Sequence, residues 1–514
     1  MSDLPTPLGV VGAGTMGAGI AQLGCLAEVE TLLHDPLPEA LEKGAERIRT
    51  GLQKGAERAR WSADDARAAA ERLRTVDSLE GLAGAQLVIE AAPERIDLKR
   101  ELFERLSDIC ADDTILATNT SSILVSSLAS SAARRENVVG MHFFNPPPLM
   151  KLLEVIAAAQ TGERALAVAR AVGEAMGKTV IVARDGPGFL VNRCGRPFSG
   201  EALRLLQERV ATIEQIDRIV RLGGGFRMGP FELMDLVGVD VGFEVAQSFA
   251  AQSFGEPRWK PSMLQAQLVA AGRLGRKTGR GWYSYEDGPH RPDDPEPREP
   301  QGGDGNVVAI AGQGALAEAL RERARAARFD VRDLGDGEPE LIVDASVPSP
   351  VADLTAPSGP PLLVACADRS LASRAIPGAA GFHLLPPIGR LVELTRIPST
   401  SDEAAQAAER FFTALGLEHE WVEDAPGLVL GRIVCGLVNE ALFAVGEGVG
   451  SGDDVDTGLT LGLNHPRGAV SWGREIGFDH VLATIDGVYD ERHEERYRAA
   501  PLLRRVVATG EPVG

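Results

Sequence analysis

Two stretches of this sequence set a histidine before a run of prolines and a glutamate after it. The first, "MHFFNPPPLMKLLEV" (141–155), holds His142 and Glu154, twelve residues apart. The second, "FHLLPPIGRLVEL" (382–394), holds His383 and Glu393, ten apart. A histidine can take the proton of a secondary alcohol while hydride leaves for a nicotinamide, given the right tautomer and basicity. A carboxylate on the other ring nitrogen supplies both. His142 closes an apolar, strand-like run, and the turn at Pro146–Pro148 lets the chain double back and bring Glu154 to it. By spacing alone, a hydrogen-bonded histidine in the core is the more common outcome of such a pattern.

A second group could bind what takes the hydride. Gly12, Ala13, Gly14, Thr15, Met16 and Gly17 form G-x-G-x-x-G directly after the apolar run "LGVV" (8–11) and at the start of a helical pattern. In that setting Gly12 makes the turn, Gly14 lets the backbone approach a pyrophosphate, and Gly17 packs helix on sheet. The helix N-terminus offers N–H groups to the phosphates. Asp35 ends the next strand-like segment, where a carboxylate accepts from a ribose diol and repels a 2′-phosphate. Pro36 and Leu37 bring no cation to hold such a phosphate, so the pattern predicts NAD rather than NADP.

The elements that must position these groups read as an α/β chain. Short apolar strands recur at 85–92, 114–120, 138–144 and 178–183, mostly separated by helical segments, and residues 36–82 read as long, charged helix. The pattern predicts a Rossmann-like NAD-binding domain over residues 1–184 with a largely parallel sheet. Residues 185–286 read as an all-α domain. Residues 287–305, "DGPHRPDDPEPREPQGGDG", read as a linker. The order then repeats: "VVAIAGQGALAEAL", "ELIVDASVP", "GFHLLPPIGRLVEL" and "DAPGLVLGRIVCGLVNEAL" echo four earlier stretches in sequence. The two-domain unit is duplicated, with a degenerate Rossmann-like copy at 306–422 and a second helical domain at 423–514.

The whole chain sets further bounds. It has 514 residues, 44% of them hydrophobic and 25% charged, and a formal net charge of -20. Such a balance disfavours nucleic acid or an anionic membrane as partner. Five scattered cysteines and eight unclustered histidines predict reduced thiols, no metal and a cytoplasmic protein. Neither a membrane span nor a signal peptide is expected.

The first 286 residues resemble short-chain L-3-hydroxyacyl-CoA dehydrogenases, enzymes of β-oxidation and related acyl-CoA pathways. The resemblance rests on "GAGTMGAGIAQ", "ATNTSS", "GMHFFNPPPLMKLLEV", "DGPGFLVNR", "GPFELMDLVGVD" and "GRKTGRGWYSY", all in order. It implies oxidation of a (S)-3-hydroxyacyl-CoA with NAD, with His142 as general base and Glu154 as its orienting partner. It implies that Ser121 and Asn192 bind the 3-oxygen, and that Glu94, Lys99, Asn119, Asn145 and Lys277 contact the cofactor. In the family a helical projection meets CoA. Here it is "GAERIRTGLQKGAERAR" (44–60), where five cations face two glutamates and Lys54 is the best candidate. Family members of this length, with a repeated helical domain, act on 3-hydroxybutyryl-CoA or 3-hydroxyadipyl-CoA. A related dehydrogenase of a free hydroxy acid, of gulonate type, and a non-catalytic dinucleotide-binding protein are the alternatives.

The second copy keeps Gly312, Gly314, His383 and Glu393 but loses the charged helical excursion. Asn119, Ser121 and Asn192 align with Ala367, Arg369 and Gly431, and Asn145 has no counterpart. Only the first copy is expected to run the proton relay. The segment 428–445 is apolar around much of a helix, which predicts that residues 423–514 pack on 185–286 as an intramolecular pseudo-dimer. A homodimer through another surface remains compatible with the sequence.

Overall fold

The computed structural model describes residues 4–286, 288–348 and 359–514. Residues 1–3, Asp287 and 349–358, from the expected first domain, linker and second sheet domain, lie outside the described residues. The chain forms two compact units. One comprises residues 1–193 with 448–463, the other 194–447 with 464–514.

In the first unit the elements run β1 (Leu8–Val11), α1 (Thr15–Leu26), β2 (Thr31–His34), α2 (Pro38–Glu57), α3 (Ala63–Glu71), β3 (Leu73–Val76), β4 (Leu87–Glu90), α4 (Ile96–Ile109), β5 (Ile115–Thr118), α5 (Val125–Ala129), β6 (Val138–Phe143), β7 (Leu152–Ala157), α6 (Glu163–Ala175) and β8 (Thr179–Arg184). The sheet order is β3-β2-β1-β4-β5-β6-β7-β8. The order reverses between β1 and β4, and the crevice at such a point is where open α/β sheets take ligands. All neighbours are parallel except β6 and β7, which pair antiparallel. Successive strand residues serve opposite faces. Val10, Leu33, Ile89 and Ala117 join one core cluster, Val11, Leu32, Val88 and Leu116 the other. Burial on both faces explains why these strands read as unbroken apolar runs.

Two strands depart from the expected pattern. The edge strand β3 lies inside the stretch that reads as continuous helix, 36–82. Its residues are half-buried or exposed, so "LRTV" carries no apolar signature. β7 follows the proline turn and is the antiparallel partner that brings Glu154 back opposite His142.

The second unit continues with α8 (Ile213–Gly224), α9 (Pro230–Val237), α10 (Val239–Gln252), α11 (Met263–Ala270), β9 (Val307–Ala311), α12 (Ala315–Ala326), β10 (Asp330–Arg332), β11 (Leu341–Asp344), β12 (Leu362–Ala365), α13 (Leu371–Arg374), β13 (Ala380–His383), β14 (Leu391–Thr395), α14 (Asp402–Ala414), β15 (Glu418–Val422) and α15 (Leu430–Gly446). After α16 (Gly452–Gly462), which belongs to the first unit, come α17 (Ala469–Ile476), α18 (Phe478–Arg492) and α19 (Pro501–Thr509). Helix α7 (Val191–Gln207) carries the chain from the first unit into the second. The second sheet, β10-β9-β11-β12-β13-β14-β15, repeats the first with one strand fewer, and again only its β13–β14 pair is antiparallel. The expected linker is pinned rather than free: Asp294 pairs with Arg221 at 2.9 Å, and the Gln301 N–H donates to the Ala414 carbonyl at 2.8 Å.

The two copies exchange helices. Helix α16 of the second copy packs on β7 and β8, with Arg184 N–H donating to the Val449 carbonyl at 2.8 Å. Helix α8 of the first copy packs on β14 and β15, with Glu423 N–H donating to the Val210 carbonyl at 2.8 Å. These bonds join repeat-equivalent positions in reverse roles. Within the second unit α15 is buried at every residue from Leu430 to Ala444 except Gly436. Its Arg432 reaches Glu201 on α7 at 2.7 Å, and its Glu440 accepts from Arg258 at 2.7 Å. Glu256 takes a bidentate pair from Arg498, at 2.9 and 2.8 Å.

Burial alone would raise the Glu256 carboxyl, but its bonds to Arg498 and Arg258 pull it down to about 2. A depressed carboxyl stabilises the fold above its unfolded value and loses that contribution as pH falls through the folded value. The stability advantage of wild type over Glu256→Gln, read by urea unfolding, is therefore expected in full above about pH 4.5 and to vanish towards about pH 2.

Candidate active site

The carboxyl edge of the first sheet gathers the expected residues. β1 leads into the glycine turn, whose backbone shows why glycine is required. Gly12 has φ +99, and a Cβ there would sit 2.6 Å from the Ala91 carbonyl oxygen. A Cβ on Gly17 would meet the Gly12 carbonyl oxygen at 1.8 Å, whereas one on Gly14 would meet nothing within 4 Å. The turn is thus closed behind and open in front, at the N-terminus of α1, as a pyrophosphate requires. Asp35 follows β2 and spans the turn, its Oδ2 accepting from Ala13 N–H at 2.9 Å and its Oδ1 from Leu37 N–H at 3.0 Å. Thr15 and Met16 open α1.

His142 and Glu154 face each other in register across β6 and β7. The imidazole Nδ1 lies 2.9 Å from Glu154 Oε2. Glu154 Oε1 accepts from the backbone N–H groups of Leu190 and Val191, at 2.8 and 3.1 Å, where α7 begins. Glu154 is fully buried and His142 is 5% exposed. With Nδ1–H donating to the carboxylate, Nε2 of the neutral ring keeps its lone pair. Phe144 and Phe189 flank the ring, with centroids 4.6 and 5.8 Å away.

Ser121 is exposed in the loop after β5, its N–H donating to Glu94 Oε1 at 3.2 Å. Asn192, half-buried, stands in the first turn of α7 beside the Glu154 anchor. Asn119 ties that loop to β6, its Oδ1 accepting from Phe143 N–H at 2.9 Å. Glu94 also accepts from the Thr120 and Ser122 hydroxyls and faces Lys99 at 3.4 Å. Burial works to raise the Glu94 carboxyl, but Lys99 and these hydroxyls hold it below the usual range. Asn145 is exposed at the proline turn, Lys54 is exposed on α2, and Lys277 belongs to the second unit, paired with Asp240 at 2.6 Å.

Lys99, which the resemblance places among the cofactor contacts, is a buried residue. Its side chain is 1% exposed, and its ammonium bonds Glu90 at 2.6 Å and the Ala92 carbonyl at 3.2 Å. Buried charges persist only when paired, and Lys99 is paired with Glu90 and Glu94. Glu90 went unread in the sequence. It is fully buried, also accepts from Ala92 N–H and the Thr118 hydroxyl, and looks like any strand-end glutamate until the sheet closes around it.

Helix α16 was also missed. Its segment carries glycines where a Cβ would collide with the shell of the His–Glu pair: Gly450 with Leu190 at 2.6 Å, Gly458 with Val191 at 2.7 Å, Gly462 with Leu152 at 2.8 Å and Phe144 at 3.2 Å. Leu190 and Val191 supply the N–H groups that hold Glu154, and Phe144 packs on His142. Overpacking a core costs about 1–3 kcal/mol. Gly462→Val is therefore expected to press Phe144 towards His142 and lower kcat about tenfold, with the affinity for NADH unchanged. Steady-state kinetics beside an NADH titration would check this.

The second copy is built differently. His383 Nδ1 stands 3.8 Å from Glu393 Oε2, and neither imidazole nitrogen has a hydrogen-bond partner among the described residues. Glu393 instead accepts from Val429 and Leu430 N–H, at 2.6 and 3.1 Å. Where the first copy has Asn192, the second has Gly431, and a Cβ there would fall 2.4 Å from the His383 ring. Burial pushes His383 down to about 4 and Glu393 up to about 8, so both are neutral near pH 7.

The sequence model for the 3-hydroxyacyl-CoA dehydrogenase NAD-binding domain matches residues 7–186, and that for the 3-hydroxyacyl-CoA dehydrogenase C-terminal domain matches 188–285 and again 427–513. The chain belongs to the 3-hydroxyacyl-CoA dehydrogenase family. It is an NAD-dependent oxidoreductase of that family, with the C-terminal domain present twice. The chain is 34% identical over 497 residues to the 3-hydroxyadipyl-CoA dehydrogenase of Escherichia coli K12, covering 96% of each. A probable 3-hydroxybutyryl-CoA dehydrogenase of Bacillus subtilis is 38% identical over 54% of this chain and 96% of its own length. Among solved structures, a 3-hydroxybutyryl-CoA dehydrogenase of Escherichia coli K12 superposes with TM-score 0.80 at 32% identity, covering 98% of each chain. Shorter relatives such as the Bacillus subtilis one match about half of this chain, in which the C-terminal domain occurs twice. No helix among its described residues is long and apolar enough to cross a membrane.

Proposed function

We propose that this dehydrogenase oxidises the 3-hydroxyl of an (S)-3-hydroxyacyl-CoA to the ketone, using one site, in the first copy. The observation that carries this reading is the chain of bonds from His142 Nδ1 to Glu154 and on to the N–H groups of Leu190 and Val191. His142 Nε2 accepts the alcohol proton, and the imidazolium that results is stabilised by Glu154. Bound NAD supplies the hydride acceptor. The Ser121 hydroxyl and the Asn192 amide donate to the 3-oxygen as its charge changes. Asp35 accepts from the adenosine ribose, the N–H groups of Gly14, Thr15 and Met16 at the start of α1 meet the pyrophosphate, and Glu94, Asn119 and Asn145 line the cofactor's path, with Lys99 fixing Glu94. Lys54, with the neighbouring Arg47 and Arg49 on the solvent face of α2, meets the CoA phosphates. Within the second unit, the bonds of Arg432 to Glu201 and of Arg498 to Glu256 support a pseudo-twofold pairing of the helical domains 185–286 and 423–514, a single chain supplying what two short chains would.

NADH oxidation with acetoacetyl-CoA tests the reading: turnover is expected with the thioester and not with free acetoacetate, and the reverse preference would overturn it. Comparing 3-hydroxybutyryl-CoA with 3-hydroxyadipyl-CoA, the substrates named for its relatives, would define the acyl end. Asp35→Ala is expected to weaken NAD binding and relax discrimination against NADP. Equal use of NADP and NAD by the wild type would remove the ribose role from Asp35.

A further inference from the structure

The reciprocity of the helical copies is broken at one place, and a cavity lies there. Its volume is about 80 Å³, and it opens to solvent between α7, α15, α18 and the turns at 256–260 and 494–498. Six cations line it, Arg196, Arg204, Arg258, Lys260, Arg432 and Arg496, against two carboxylates, Glu201 and Glu440. Four of the six are matched. Arg432 is held by Glu201 and Glu208, Arg258 by Glu440 and Glu256, and Arg204 and Arg496 both reach Glu494.

Arg196 and Lys260 are not matched. Neither has a carboxylate partner among the described residues. Arg196 lies over the face of the Phe249 ring, 5.2 Å from its centroid. The repeat shows how this arose. Lys260 corresponds to Arg498, which clasps Glu256 with both its nitrogens. The reciprocal partner for Lys260 would be Glu494, but among the described residues Glu494 pairs with Arg496 and Arg204 and not with Lys260. Arg196 corresponds to Cys435, a buried thiol on α15 that needs no counter-charge. The wall is also open at Gly200, where a Cβ would meet nothing within 4 Å. Burial pulls the Arg196 guanidinium down to about 10, the cost of a cation without its anion.

We propose that this cavity binds a small dianionic oxyanion, with the Arg196 fork and the Lys260 ammonium as its ligands. A guanidinium offers paired donors to phosphate or carboxylate, and a lysine adds a point charge. Orthophosphate and malonate are the two probes. Calorimetric titration of the full chain, against sodium chloride at matched ionic strength, should show one saturable site per chain for at least one probe. Charge-assisted hydrogen bonds are worth about 1.5–3 kcal/mol, so Lys260→Gln should weaken binding about tenfold or more, and Arg196→Gln should abolish it. Lys260 is exposed at the rim, so Lys260→Gln decides the matter even if Arg196→Gln fails to fold. Absence of saturable binding by either probe, or unchanged affinity in Lys260→Gln, would overturn the proposal.

Discussion

Replacing His142 by alanine is expected to lower kcat by roughly 10²–10⁴, the usual effect of losing a general base. The loss should fall on kcat rather than on the affinity for NADH, because the glycine turn and Asp35 are built on other strands. The same substitution at His383 should leave kcat within a small factor. Among the described residues His383 has no hydrogen-bond partner for either nitrogen, is pushed well below its ordinary value by burial, and sits beneath the backbone of Gly431, where Asn192 stands in the first copy. Initial rates of NADH oxidation with acetoacetyl-CoA for both variants would check this, and comparable losses from both would show that the roles of the two copies are wrongly divided.

Arg432→Met is expected to destabilise the second unit by about 3–5 kcal/mol, the range for removing one partner of a buried ion pair. The Arg432 side chain is fully buried and bonds Glu201, Glu208 and the Tyr497 hydroxyl. Those carboxylates hold the guanidinium charged, well above its ordinary value, despite its burial. Without it Glu201, itself largely buried, keeps only Tyr497. The fall should appear in the urea midpoint, with a matching loss in Glu201→Gln and no additive loss in the double variant, since the two share one network.

The sequence made some of this legible for identifiable reasons. The glycine turn is contiguous, so its strand, turn and helix could be read together. The His142–Glu154 pair is local, joined by a proline turn that leaves the chain one way back. The strand carrying Glu154 was harder to read as a strand, because it follows directly on the proline turn. The fate of Lys99 depends on Glu90, whose burial follows only from the closed sheet. The exchange of α8 and α16 joins segments far apart in the chain, and the glycines of α16 look like ordinary loop and helix residues until Leu190, Val191 and Phe144 are set against them. The unmatched Arg196 became visible only when its repeat-equivalent, Cys435, could be compared in place.

The claim that one of two copies does the work is tested most directly by titrating the full chain with NADH in a calorimeter. The account predicts one site per chain, weakened by Asp35→Ala. Two sites of similar affinity, or a single site untouched by that substitution, would contradict it.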